Sequence, residues 1–201
     1  MDKKLHTRLI KISKEISPEL SGEIRALGPI DFPDRRYKSL SDHLARAVVG
    51  QQLSTKAART IWERIQNARK NARERAPDFF RKENAPLIKS CGLSASKTKA
   101  LAHIREAHRA GLLSPVKLRV MDHTERSARL LSIWGIGPWT CDMASIFFFK
   151  DEDIWPEGDI SVQNTFRRYI GRKKPTLAAA RFAPHRSYLA MYMWRILDGG
   201  N

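Results

Sequence analysis

Only two cysteines, Cys91 and Cys141, occur in the 201 residues. That excludes a four-thiolate zinc site and an iron–sulfur cluster. In a chain read as intracellular, both are expected as free thiols. Histidine offers a metal no better: among His6, His43, His103, His108, His123 and His185, no two stand one helical turn apart beside an acid. Most of the six are expected at the surface. No apolar stretch approaches the ~18 residues that would cross a bilayer. The longest apolar cluster, Met143 to Phe149, is closed by Lys150, Asp151, Glu152 and Asp153. The opening Met1-Asp2-Lys3-Lys4 leads into an amphipathic pattern rather than an apolar signal core, which favours an intracellular soluble protein. Period-two alternation, two-residue hairpin signals, internal repeats and low-complexity linkers are all missing. Negative charge is scarce as well: 21 Asp and Glu stand against 37 Lys and Arg, a net charge of +16. Such an imbalance points to a polyanion, whether DNA, RNA or an anionic membrane surface. A membrane surface fits poorly, because the basic residues are spread along the chain without an exposed aromatic stripe.

What is present is an apolar fraction of 42%, enough for a core, at a length that suits one domain or two closely packed halves. The periodicity is helical. Leu5, Leu9, Ile12 and Ile16 form one stripe that Pro18 interrupts. Residues Leu27 to Tyr37 read as an irregular connection. A helix capped by Ser39 or Ser41 buries Leu40, Leu44, Ala47 and Val48 and stops at Gly50. Ser54 caps a second helix, whose continuation to Lys82 is strongly basic. A short helix begins at Pro86 to Ile88, and another, capped by Ser94 or Ser96, is closed by Gly111. Thr124 is expected to cap a helix running to Trp134, and Pro138 to open the next. Two further helices, Val162 to Ile170 and Ser187 to Leu197, complete an all-α chain. Trp62, Trp134 and Trp194 sit at helical spacing and are expected in the core.

Two segments carry chemistry. Leu130-Leu131-Ser132-Ile133-Trp134-Gly135-Ile136-Gly137-Pro138-Trp139-Thr140 reads as a helix, a tight Gly-x-Gly turn and a second helix. Two glycines permit a sharp turn and close approach to a partner. The N–H groups at the start of the second helix suit a phosphate oxygen without reading sequence. Further on, Ile154-Trp155-Pro156-Glu157-Gly158-Asp159-Ile160 places Asp159 just before a helix. A carboxylate there is favoured in its charged form and could stabilise a developing cation or orient a water. It would serve equally as an ordinary N-cap.

With their surroundings these segments resemble the helix-hairpin-helix superfamily of DNA glycosylases, and most closely its 3-methyladenine DNA glycosylase II branch, over about Leu40 to Trp194. The blocks that carry the resemblance occur in family order. They are Leu44-Ala45-Arg46-Ala47-Val48-Val49-Gly50-Gln51-Gln52-Leu53-Ser54, Leu131 to Thr140, Trp155-Pro156-Glu157-Gly158-Asp159, and Pro184-His185-Arg186-Ser187-Tyr188-Leu189-Ala190. The resemblance implies two helical subdomains with an active-site cleft between them. One would be residues 40–155 with the hairpin at 124–149, the other residues 1–39 with 156–201. It implies Asp159 as the catalytic carboxylate, and Gly135, Gly137 and Thr140 as phosphate contacts. The main-chain carbonyls of Leu131, Ile133 and Ile136 would be ligands for a structural Na+ or K+. It makes Gln51 or Gln52, with Leu53 beside it, the plug for the gap left by an extruded base, and Trp139, His185 and, less directly, Trp155 the walls of the base pocket.

The implied function is base-excision repair of alkylated purines in double-stranded DNA by a monomer that needs no cofactor. Lyase-competent relatives keep a lysine where Trp139 stands, so the resemblance implies a monofunctional enzyme, because an indole cannot form a Schiff base. There are departures. The residues before Leu40 are too few for the N-terminal β-rich domain of some relatives, some relatives have tryptophan at the place of His185, and the plug here is polar. A non-catalytic DNA-binding module is the competing reading; it has no need of a carboxylate such as Asp159 near phosphates.

Overall fold

The structure is a computed structural model that describes residues 1–33 and 39–199, so the expected connection from Leu27 to Tyr37 lies partly outside the described residues. Among them there are no strands. The helices are α1 (Lys3–Lys14), α2 (Pro18–Leu27), α3 (Leu40–Gly50), α4 (Thr55–Asn71), α5 (Ala85–Ser90), α6 (Ala95–Arg109), α7 (Pro115–Arg119), α8 (His123–Leu131), α9 (Pro138–Ala144), α10 (Ile160–Ile170), α11 (Pro175–Ala179) and α12 (Arg186–Leu197). No helix is long and apolar enough to cross a membrane. The chain divides into two compact units, residues 35–144 and residues 1–34 with 145–201. The changeover therefore comes at 144/145, ahead of the expected 155, where α9 gives way to a π-helical turn, Ser145–Phe149.

Local rules explain most boundaries. Ser39, Ser54 and Ser94 each accept an amide N–H from the first turn of α3, α4 and α6. Pro18 does not merely break the first stripe. Ser17 caps a new helix and Pro18 takes its first position, where a missing N–H costs nothing. Thr124 is not the cap of α8. Asp122 is, because it accepts the Glu125 N–H at 2.8 Å while Glu125 accepts the Asp122 N–H at 3.2 Å, and that reciprocal pair outcompetes a lone hydroxyl.

In the unit of residues 35–144, α3 packs on α4, α6 and α9, and α8 on α9. Leu44, Val48, Ile65, Leu101, Ile104 and Leu130 are fully buried there. His43, half-buried, donates from Nε2 to the Met143 carbonyl at 3.3 Å, and burial pushes its imidazole down to about 4. Both cysteines are free and buried, and burial pushes Cys141 up to about 11. At the hairpin, Gly135 has φ +88°, and a Cβ there would lie 2.4 Å from Ala100 Cβ. Gly137 meets nothing within 4 Å and has no such backbone constraint. Only the first glycine is required by the turn.

In the other unit a core of Leu9, Leu20, Ile24, Phe166, Phe182, Leu189 and Tyr192 joins α1, α2, α10 and α12. The segment leading to Asp159 is fastened to the start of α12. Arg186 donates from Nε to Asp153 Oδ1 at 2.7 Å and from Nη2 to Oδ2 at 2.9 Å, while Ser187 Oγ donates to the Asp151 carbonyl at 2.6 Å. The Arg186 hydrogen bonds hold the Asp153 carboxyl below its usual range, against a smaller desolvation effect.

Gly135→Ala is expected to destabilise the protein by about 2 kcal/mol or more, from overpacking on Ala100 and left-handed strain. Gly137→Ala should change stability by less than ~0.5 kcal/mol. Urea denaturation separates the two, and equal costs would contradict the account. Asp153→Asn should cost ~1 kcal/mol at neutral pH, discounted for the partial exposure of the pair. Asp153 has its lower pKa in the folded state. Its contribution is therefore full above the unfolded value of ~3.9 and is lost as pH falls through the folded one. Melting curves of wild type and Asp153→Asn should converge as pH drops below ~4; a gap unchanged down to pH ~2 would assign the loss to packing.

Candidate active site

Asp159 lies at the end of a tight turn in which its own N–H donates to the Pro156 carbonyl at 3.0 Å. Its backbone is extended, and Oδ1 accepts the Val162 N–H at 2.9 Å, so it is the N-cap of α10. Gln163 Nε2 donates to Pro156 O at 3.3 Å and braces the same turn from one helical turn away. The residue is only 8% exposed. The carboxyl group is thereby held in a defined orientation at the positive end of a helix dipole. The capping role and a chemical role are compatible, because the cap fixes the orientation of the carboxyl group.

The three residues expected to wall a base pocket fare differently. Trp139 is half-buried in the first turn of α9. His185 is half-buried, with Nδ1 2.9 Å from Glu152 Oε2, while the Tyr188 hydroxyl donates to Glu152 Oε1 at 3.3 Å. His185, Glu152 and Tyr188 line a recess of about 500 Å³ with Leu5 and Arg8. Trp155 is 6% exposed and packed edge-on to Phe166 within the core, its ring centroid 5.3 Å away. Its neighbours Ile154 and Pro156 are buried with it, and the chain returns to the surface at Glu157 and Gly158. Trp194, expected in the core, is half-buried beside Phe147 and lines a smaller recess of about 290 Å³ with Met191 and Pro33. Trp134 is also corrected. It is 44% exposed on the hairpin, with Lys99 Nζ 4.4 Å from its ring centre and His103 against it.

In the unit of residues 35–144 the expected DNA contacts form one assembly. Gln51, which caps the C-terminus of α3, donates from Nε2 to Thr140 Oγ1 at 3.0 Å and towards the Gly135 carbonyl at 3.4 Å. Thr140 is buried and Gln51 is half-buried, so that amide is committed to the hairpin. Gln52 is exposed in a left-handed conformation with φ 55°, and Leu53 beside it is 40% exposed. Ile133 and Ile136 are buried, while Leu131 is 43% exposed at the last position of α8. No sequence pattern marked Lys97, whose ammonium donates to the Val49 carbonyl at 3.0 Å and the Gln51 carbonyl at 2.5 Å, because its partners lie more than forty positions away. Among the described residues no cluster of His, Cys, Asp or Glu could hold a metal ion.

No protein-family model matches the sequence. The chain is 35% identical over 163 residues to DNA-3-methyladenine glycosylase 1 of Schizosaccharomyces pombe, spanning 77% of this chain and 71% of that protein. The structure of that organism's 3-methyladenine DNA glycosylase Mag1 in complex with abasic DNA superposes with a TM-score of 0.81 at 30% identity, covering 94% of this chain and 97% of that one. A DNA-3-methyladenine glycosidase from Bacillus halodurans shares the fold, with a TM-score of 0.74 at 24% identity over 92% of this chain and 87% of that one. An all-α chain with the hairpin, the capped aspartate and a relative this similar over this length belongs to the DNA-3-methyladenine glycosylase family of helix-hairpin-helix DNA glycosylases.

Proposed function

We propose that the protein is a base-excision repair glycosylase that hydrolyses the N-glycosidic bond of alkylated purines, of the 3-methyladenine type, in double-stranded DNA. It would act as a monomer and inside the cell, where its substrate is. The observation that carries the reading is Asp159, a buried carboxylate fixed by the α10 amide in a chain of net charge +16. A module that only bound DNA would gain nothing from burying negative charge beside a polyanion.

The chemistry follows from the charges. Alkylation on a ring nitrogen makes the purine cationic, so the C1′–N bond breaks with its electron pair going to a base that leaves neutral. Positive charge passes to the sugar, and Asp159 stabilises that oxocarbenium-like state and orients the water whose oxygen bonds to C1′. The water's proton goes to solvent, and the leaving group, already activated, needs no general acid. Extruding the base costs a few kcal/mol, and Gln52, the exposed one of the two glutamines, is the reading for the side chain that enters the gap, with Leu53 beside it. An electron-rich indole such as Trp139 attracts a cationic base over its face. The backbone amides around Gly135, Gly137 and Thr140 would take phosphate oxygens. The open space where a Gly137 Cβ would stand suits that close approach.

The Leu131, Ile133 and Ile136 carbonyls would be the ligands of a structural Na+ or K+. Leu131 ends α8, where helical partners for carbonyls run out, and the Ile133 carbonyl, which accepts the Ile136 N–H at 3.1 Å, keeps a second lone pair. When bound, such an ion would offset the carbonyl dipoles and add positive charge for a phosphate. With tryptophan at position 139, the product is an abasic site in an unbroken strand.

Asp159→Asn keeps the shape and the capping oxygen but removes the charge. Single-turnover release of 3-methyladenine from methylated duplex is expected to fall by at least about 10²-fold, with affinity for DNA unchanged or higher. Turnover within a few-fold of wild type would remove Asp159 from the mechanism.

A further inference from the structure

Lys97 stands in the first turn of α6, where a cation opposes the helix dipole, so it serves α6 poorly. Its ammonium reaches instead to the C-terminus of α3, where a cation is favoured. The carbonyls there are shared out completely. Those of Ala47 and Val48 accept the Gln51 N–H and that of Gly50 accepts the Leu53 N–H, while those of Val49 and Gln51 accept from Lys97 Nζ at 3.0 and 2.5 Å. Directly after the second of these carbonyls comes Gln52, held at φ 55°, a left-handed conformation that a side chain rarely adopts and that persists only where its surroundings impose it.

We propose that Lys97 is a positioning residue for base extrusion: by gripping the last carbonyls of α3 it fixes the turn that presents Gln52 and Leu53 to the DNA. This rests on the reading of Gln52 as the plugging side chain. Lys97 touches neither the scissile bond nor the sugar in this account. It acts through the turn, together with the Gln51 amide that ties the same turn to Thr140 of the hairpin. Burial lowers its pKa, as partial withdrawal of an ammonium from solvent does.

The test compares wild type, Lys97→Met, Lys97→Arg and Gln52→Ala under single turnover on two duplexes. In one the alkylated purine faces its pairing partner; in the other it faces an abasic site, so no pair must be broken. Lys97→Met is expected to slow release about tenfold or more on the paired lesion and about threefold at most on the unpaired one, the loss of a charge-assisted hydrogen-bonding group being felt where extrusion limits the rate. The fluorescence rise of a 2-aminopurine placed beside the lesion should shrink in parallel. Lys97→Arg, which keeps charge and donors, should recover most of both. Equal slowing on the two duplexes, with a lowered melting temperature, would make Lys97 merely structural and overturn the proposal, as would no slowing on either. Gln52→Ala distinguishes the underlying reading. If it leaves the paired lesion unaffected while Lys97→Met does not, Lys97 keeps its role and the plug is not Gln52; if Gln52→Ala alone is selective, the proposal about Lys97 fails. Should Lys97→Met not fold, Lys97→Gln, with a single polar group, carries the same comparison.

Discussion

The amide of Gln51 is the link on which the proposed DNA contacts of the unit of residues 35–144 depend. It joins the end of α3 to the hairpin through Thr140 Oγ1 and the Gly135 carbonyl. Both ends of the link are fixed from behind. Thr140 is buried in α9, and Gly135 lies so tightly on Ala100 of α6 that no Cβ fits between them. Lys97, also on α6, takes the carbonyls on either side of Gly50. One helix thus supports the hairpin through van der Waals contact and the neighbouring turn through charge-assisted hydrogen bonds. The proposed phosphate capture and base extrusion would need the same rigidity, because a plugging side chain that arrives in a variable position relative to the held strand gains nothing from the contacts that hold it.

Asp159 is built on a different economy. Its surroundings include the four-residue turn from Pro156 to Asp159, the Val162 amide that it caps and a brace from Gln163. Around it, Asp153, Ser187 and Arg186 fasten the approaching segment to α12, so the turn hangs between two helices of one core. An N-cap is worth about 1 kcal/mol to stability. In the proposed reaction the same geometry would be worth more, since a charge fixed before the reaction needs no reorganisation when the sugar becomes cationic.

Much of this was legible in the sequence, wherever the determining interaction is short-range. Serine caps at 39, 54 and 94 and the breaks at Gly50 and Gly111 follow from groups three or four residues apart. The Asp159 cap and the hairpin are read the same way. Thr124 was misread although the Asp122 and Glu125 pair is equally local, because a threonine before an apolar stripe is also a valid cap. The helices α7 and α11 are too short for any periodicity to reveal. Tryptophan was the least legible residue. Trp155 turned into the core and Trp134 out of it, since a ring of that size is placed by whatever surface it meets rather than by its spacing. Lys97 and Ala100 could not have been found at all: their partners are set by how α6 lies on α3 and on the hairpin.

What leaves the DNA decides whether the protein is a monofunctional glycosylase. Wild-type protein incubated with duplex DNA methylated on its purines should release free 3-methyladenine into solution. The strand left behind should carry abasic sites yet migrate at full length until alkali is added, and borohydride present throughout should trap no protein–DNA adduct. Absence of any released base would contradict the assignment as a glycosylase. Release accompanied by trapped adduct at a comparable rate would mean that an amine, and not water, attacks the sugar.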